Sequence, residues 1–423
     1  MATVNDASAL FKRVWGDGTI KAVPDFAKLQ KEVPFSKREK TGEYFVVPVL
    51  LQHEHGFSYS ASGGGAFTLN AAIAGAVKQA QVAGSMIALR SQLSYEDVYK
   101  AVDGGAAAFE AAMGLVVDNM QASFAKRQEL SFLYGQRGLG TVSNVSSQTL
   151  TISDATWSPG IWSGMKDCLL ESFNGVTGSD TAHDATSGTG TTGGIGVAAV
   201  DYANKAVIIS TTITAGVSTT VASDVLFFYG ARTASAFREC AGIDKILLNT
   251  GTLFNISAST SSGYELWRGQ SRNVGGQISM LDALNASSDA ANMGLQDKAK
   301  LYLPTVRWNS LNADQAALRR YGAYSAKAEN GFEGIVYHGS NGVIEVEAHP
   351  FVKEGEGFFL ANPAKKILRV GATDITFRRP GMSEEIFREL VDSAGLELRA
   401  FSDQAVISLL PAQNVKLTGI TSA

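Results

Sequence analysis

Two strand-like runs around a glycine-rich tip, followed at once by a long helical repeat, constrain this chain more than any other feature. The run YFVVPVLLQHEHGFSY from Tyr44 to Tyr59 is strand-like, and its alternating second half predicts His53, His55, Phe57 and Tyr59 on one side of the pleat. Pro48 predicts an edge strand, because proline donates no ladder hydrogen bond. After the tip SASGGGAF, Val77 to Leu93 predicts a returning strand rich in Gln, Ser and Ala on both faces. A two-stranded hairpin with such weak apolar faces is marginal in water, so neighbouring copies of the chain are expected to cover it.

The helix follows directly. Ser94 is a candidate N-cap with Asp97 at the third position, and Val98, Val102, Phe109, Met113, Val116, Met120 and Phe124 recur at helical spacing towards Leu130. Such a helix spans roughly 55 Å at 1.5 Å per residue. Gly104, Gly105 and Gly114 weaken it and allow a bend.

On either side the character changes. Residues 1–43 carry eight Lys and Arg against six acids with no regular apolar period, which predicts an extended arm held by a partner subunit or left unpacked. Residues 138–230 are rich in Thr, Ser, Val and Gly in runs such as QTLTIS, GVAAVDY, KAVIIST and DVLFFYG, which predicts an all-β inserted subdomain. With two lysines against seven acids it is acidic and expected to face solvent, and its Gly175 to Gly194 stretch is expected to be a mobile loop. The remainder is mixed. Helices are predicted from Asn312 to before Gly322 and from Glu384 to Ala394, with a hairpin GIVYHGSNGVIEVEAH between them turning at Asn341-Gly342. The closing LELRAFSDQAVISLLP predicts a strand pair or one long strand.

No constellation for catalysis emerges. GTGTTG, Gly188 to Gly193, formally matches a dinucleotide fingerprint, but its flanks are low-complexity and strand-like and Asp201 follows too soon for the ribose-binding acid. His53 and His55 lack an evident third metal ligand, and Phe57 and Tyr59 continue their face, so a structural role is expected of them. No Walker A run, nucleophile elbow, zinc-protease helix or Cys-x-x-Cys occurs. The reading is therefore a non-enzyme without cofactor or metal. A net charge of −4 argues against a dense cationic surface for nucleic acid. Two cysteines, Cys168 and Cys240, are too few for a disulfide framework and fit a reducing cytosol. The first residues lack a secretory signal, and no run is apolar enough to span a membrane.

The order of parts resembles the major capsid proteins of tailed phages, with the Hong Kong 97 type of fold. The resemblance covers essentially the whole chain and is strongest in KQAQVAGSMIALRSQLSYEDVYKAV, in GVIEVEAHPFVKEGEGFFL and in GLELRAFSDQAVISLLPAQNVKLTGI. It implies an α+β capsid fold with an N-terminal arm (1–43), an extended loop lying over the next subunit (44–93), and a spine helix with part of a peripheral domain (94–137). The β-rich segment 138–230 is then an insertion, and 231–423 supplies the axial domain and the rest of the peripheral domain.

The implied function is self-assembly as hexamers and pentamers into an icosahedral head shell in the host bacterial cytoplasm, enclosing double-stranded DNA without sequence specificity. Scaffolding, portal and decoration or cement proteins are the implied further partners. His53, Phe57, Tyr59, Phe67, Lys78 and Arg90 are the candidate assembly residues. Some family members crosslink through an extended-loop lysine, but Lys78, the only lysine between Tyr44 and Leu93, lies away from the tip, so non-covalent stabilisation is expected. An encapsulin-like compartment and a tail or surface structural protein are the rival readings.

Overall fold

The computed structural model describes residues 27–37, 44–63, 65–94, 106–177, 180–183, 194–210, 220–312, 335–339, 342–377, 387–389 and 395–422. They include a five-stranded and a six-stranded sheet, two two-stranded sheets, a closed barrel and a long helix. A five-stranded sheet has the order Phe35–Lys37, Ile367–Thr376, Gly395–Ser408, Phe387–Glu389, with Ser85–Ser94 also paired to Gly395–Ser408. The closing run is thus one long strand, and three other strands pair along its length.

A six-stranded sheet runs Gln270–Gly276, Val415–Ile420, Gly357–Ala361, Ala299–Leu303, Val343–Ala348, Ile335–His338. Leu301, Leu303, Ile344, Val346, Phe359, Ala361, Val415 and Leu417 alternate onto one face. That face buries against Met280, Ala283, Ala286 and Ala290 of the helix Met280–Asn292. Its entry is fixed by a capping box, in which the Asp282 carboxylate accepts from the Ser279 backbone N–H at 2.9 Å.

Between the long helix and this mixed half sits a closed six-stranded barrel. Its order is Val225–Phe228, Gly140–Ser146, Thr149–Ile152, Ala206–Ile209, Ile195–Asp201, Leu169–Phe173. Val142, Leu150, Ile152, Leu170, Ile195, Val197, Val207, Ile209 and Leu226 are fully buried, and closure leaves these short strands no free edge. Arg232 is buried beside the barrel among Phe173, Phe227 and Phe237 and pairs with Asp180 at 2.9 Å. The run GTGTTG lies outside the described residues.

The long helix spans Ala106–Tyr134, about 43 Å at 1.5 Å per residue. It passes Leu130 because its last turns, Gln128 to Tyr134, are buried on every side, so sequence periodicity fades where packing is tightest. It stops where Gln136 takes a left-handed backbone and Gly135 lies against the Cys240 carbonyl, 2.2 Å from where a Cβ would stand. Ser94 is the last residue of a strand, paired with Gly395; residues 95–105, and with them the expected first turns, lie outside the described residues.

Four further expectations are corrected. The strand starting at Tyr44 ends at Gln52, and His53 to Tyr59 form no pleat. The returning segment is two strands, Ala76–Ala83 and Ser85–Ser94, which change partner at Gly84: the first pairs with Tyr44–Gln52 and the second with Gly395–Ser408. Inside the predicted helix 384–394, Phe387–Glu389 is an edge strand on Gly395–Ser408, where ladder pairing overrides the local helix preference of its residues. The helix touching Asn312 starts at Thr305, and the expected stretch beyond Asn312 falls outside the described residues, as does Asn341 in the 335–348 hairpin.

Candidate functional site

The hairpin divides into a root that its own chain buries and a distal part that it does not. Phe45, Val47, Leu51, Ala80 and Val82 belong to the main core, together with the end of the long helix. The root therefore needs no neighbour, contrary to the expectation of weak faces throughout. Gly84 fixes where the hairpin leaves the body: a Cβ there would lie 2.2 Å from Asp403 Oδ1 and 3.0 Å from Phe45 Cε2.

Beyond Gln52 and Ala76 the two legs stay together without a ladder. The His55 N–H donates to the Ile73 carbonyl at 3.0 Å, the Asn70 N–H to Ser58 Oγ at 2.6 Å, and Asn70 Nδ2 to the Phe57 carbonyl at 2.7 Å. Along this arm Phe57 is 67% exposed, Tyr59 89%, Phe67 50%, Leu69 75% and Ile73 52%. Leu50 and Val77, opposite each other across the hairpin, continue the exposure towards the root. Isolated exposed apolar residues are ordinary, whereas this many on one narrow projection make it the candidate interaction site.

The structure brings His53, Phe57, Tyr59 and Phe67 together on that projection, with His53 and His55 both exposed. Lys78 lies at the root with its ammonium 5.8 Å from the Tyr264 ring. Arg90 is elsewhere, on the five-stranded sheet, paired with Glu397 at 2.8 Å. Leu69 and Ile73 escaped the sequence reading because they follow the glycines in a stretch with no strand period; their apolar character in a segment that cannot bury them was the available signal. Among the described residues no group of three or more His, Cys, Asp or Glu is placed to hold a metal ion.

The arm also departs from expectation, since residues 27–37 pack on their own chain. Leu29 and Val33 are buried, and the Leu29 and Gln30 N–H groups donate to Glu129 Oε1 and Oε2 at 2.7 and 2.8 Å. Glu32 pairs with Lys300 at 3.0 Å and accepts from the Tyr302 hydroxyl, while Arg369 Nε donates to the Val33 carbonyl at 2.9 Å. A separate ionic cluster joins Asp244, Arg137, Lys416 and Glu356. Burial would raise the Asp244 carboxyl, but Lys416, Arg137 and Lys353 hold it below its usual range. Burial pushes Lys353 down to about 8.

The overall fold is shared with known structures. A chain of the capsid asymmetric unit of Cyanophage A-1(L) superposes with a TM-score of 0.53 at 10% identity, covering 96% of both chains. The fold is that of a phage capsid subunit. A chain from the capsid of a native GTA particle matches at a TM-score of 0.50 and 9% identity, over 99% of this chain and 98% of that one. No family model and no curated protein sequence matches the chain. The Hong Kong 97-type α+β plan read from the order of parts is thus the fold the chain adopts, across nearly its full length.

Proposed function

We propose that this chain is the major subunit of a tailed-phage head, assembling with copies of itself into a closed shell around double-stranded DNA. The observation that carries the reading is the distal hairpin, residues 53–75, whose apolar side chains the chain's own core leaves open to solvent. A contact between that projection and a different patch on the next copy is head-to-tail, the kind that closes rings when the rotation fits. Many such contacts add in a closed lattice, so none need be strong.

In this reading the six-stranded sheet with its helices is the axial domain, and the five-stranded sheet with the long helix is the peripheral domain. The barrel is the insertion, and the hairpin is the extended loop. His53, Phe57, Tyr59 and Phe67 serve the contact. Lys78 and Arg90, each engaged within the chain, serve the hairpin root and the sheet. Non-covalent burial supplies the stability, and scaffolding and portal proteins are the partners that such a shell requires.

Electron microscopy of the expressed protein, alone and with a co-expressed scaffolding partner, tests the reading. Shells of fixed curvature are expected; a monomer under every condition overturns it. A variant lacking residues 60–70 is expected to fold and fail to form stable shells, and normal assembly by it refutes the role given to the hairpin.

A further inference from the structure

The run AHPFVKEGE between the strands Val343–Ala348 and Gly357–Ala361 is a connection, yet most of it is buried. Loops normally run over the surface because their backbone groups need water. Here those groups are satisfied by three other parts of the chain.

Towards the arm, the Lys28 ammonium donates to the Ala348 carbonyl at 2.9 Å. His349 Nδ1 accepts the Phe351 N–H at 3.2 Å, so Nε2 carries the proton and donates to Glu129 Oε1 at 2.8 Å. That is the same carboxylate which holds the Leu29 and Gln30 amides. Towards the barrel, Ser158 Oγ donates to the Pro350 carbonyl at 2.6 Å, and the Glu354 and Gly355 amides donate to the Trp157 and Ala155 carbonyls at 2.8 and 3.0 Å. Lys205 pairs with Glu354 at 2.8 Å, and Lys353 Nζ donates to the Gly138 carbonyl at 2.9 Å.

The backbones meet without intervening side chains. A Cβ on Gly160, in the short helix Pro159–Trp162 that links two barrel strands, would stand 2.2 Å from the Pro350 carbonyl oxygen, and one on Gly355 of the loop 2.8 Å from Ala155 Cα. Towards the six-stranded unit, the His349 amide donates to the Leu303 carbonyl and Arg307 Nε to the Glu354 carbonyl.

We propose that the Ala348–Glu356 loop couples the docking of the arm segment 27–37 to the seating of the barrel, so that displacing either loosens the other. The loop is short and mostly buried, and the two contacts start from neighbouring residues: His349 lies on the arm's anchor and Pro350, next to it, on the barrel side. A shift of Pro350 forced from the barrel side moves His349 off Glu129. The carboxylate then holds the arm amides with one donor fewer. Such a loop accommodates discrete arrangements and not continuous strain, because its surroundings are close-packed. Coupling between sites is reciprocal by thermodynamic necessity. The inference concerns a single subunit and holds whether or not the chain forms shells.

The contacts supply their own reporters. In the full-length soluble subunit, hydrogen exchange is followed at the Leu29 and Gln30 amides for the arm, at Glu354 and Gly355 for the barrel, and at Gln81 as a control. The Gln81 amide bonds to the Phe254 carbonyl, and neither residue takes part in the loop's hydrogen bonds named above. Gly160→Ala, which wedges the barrel from Pro350, is expected to speed exchange at Leu29 and Gln30, and Glu129→Gln at Glu354 and Gly355, each by about 5- to 150-fold, with Gln81 unchanged. If Gly160→Ala does not fold, Ser158→Ala is read by the same criteria. Acceleration confined to the side carrying the substitution overturns the coupling, and so does acceleration that spreads equally to Gln81.

Discussion

Replacing Phe57 and Leu69 together by serine should cripple assembly while leaving the subunit intact. Fully burying a Phe or Leu side chain yields about 1.5–3 kcal/mol relative to exposure. These two are 67% and 75% exposed in the single chain, so most of that gain remains to be made on contact. Scaled by exposure, their loss costs about 2–4 kcal/mol per hairpin contact. At 1.4 kcal/mol per tenfold, that raises the critical concentration for assembly roughly 30- to 700-fold. Because neither side chain packs on the subunit's own core, the unfolding free energy of the free subunit should change by less than about 0.5 kcal/mol. Light scattering against protein concentration gives the first quantity and thermal melting of the unassembled subunit the second. An unchanged critical concentration refutes the reasoning, as does an assembly defect matched by an equal loss of subunit stability.

Three other outcomes follow from the same structure. Gly84→Ala should destabilise the subunit by about 1–3 kcal/mol and misdirect the hairpin, since its Cβ meets Asp403 and Phe45; chemical denaturation and shell yield check both. Arg232→Met leaves the Asp180 carboxylate without its buried cation and should cost about 3–5 kcal/mol, measured by denaturant unfolding. Lys353 has its folded value lowered to about 8 from 10.5, so between these pH values the unfolded chain binds the extra proton and stability rises with pH. Relative to Lys353→Met, the wild type should gain on the order of 3 kcal/mol across that window, and a flat difference in unfolding free energy contradicts it.

What the sequence made legible was local. The apolar alternation of VIEVEA, the barrel runs and the helical spacing up to Phe124 each repeat within one element, so periodicity alone exposes them. What it hid was pairing at a distance. Nothing near Ser85–Ser94 says that its partner is Gly395–Ser408, more than 300 residues away, and so the partner change at Gly84 was invisible. Phe387–Glu389 read as helix because its residues favour one and its pairing lies outside any local window. No local pattern marks Glu129; only the fold reveals it buried beneath the arm's amides. At the candidate site, the hairpin was legible as one whose weak apolar faces need another surface, whereas the division into a self-packed root and an open arm depended on Phe45, Val47 and Val82 meeting the core.

The central claim is that residues 53–75 are completed by another copy. A cryo-electron microscopy reconstruction of assembled particles tests it most directly. The account predicts closed shells in which Phe57, Tyr59, Phe67, Leu69 and Ile73 lie against the adjacent subunit and are removed from solvent. Shells in which that arm projects freely, with the subunits joined elsewhere, would contradict it.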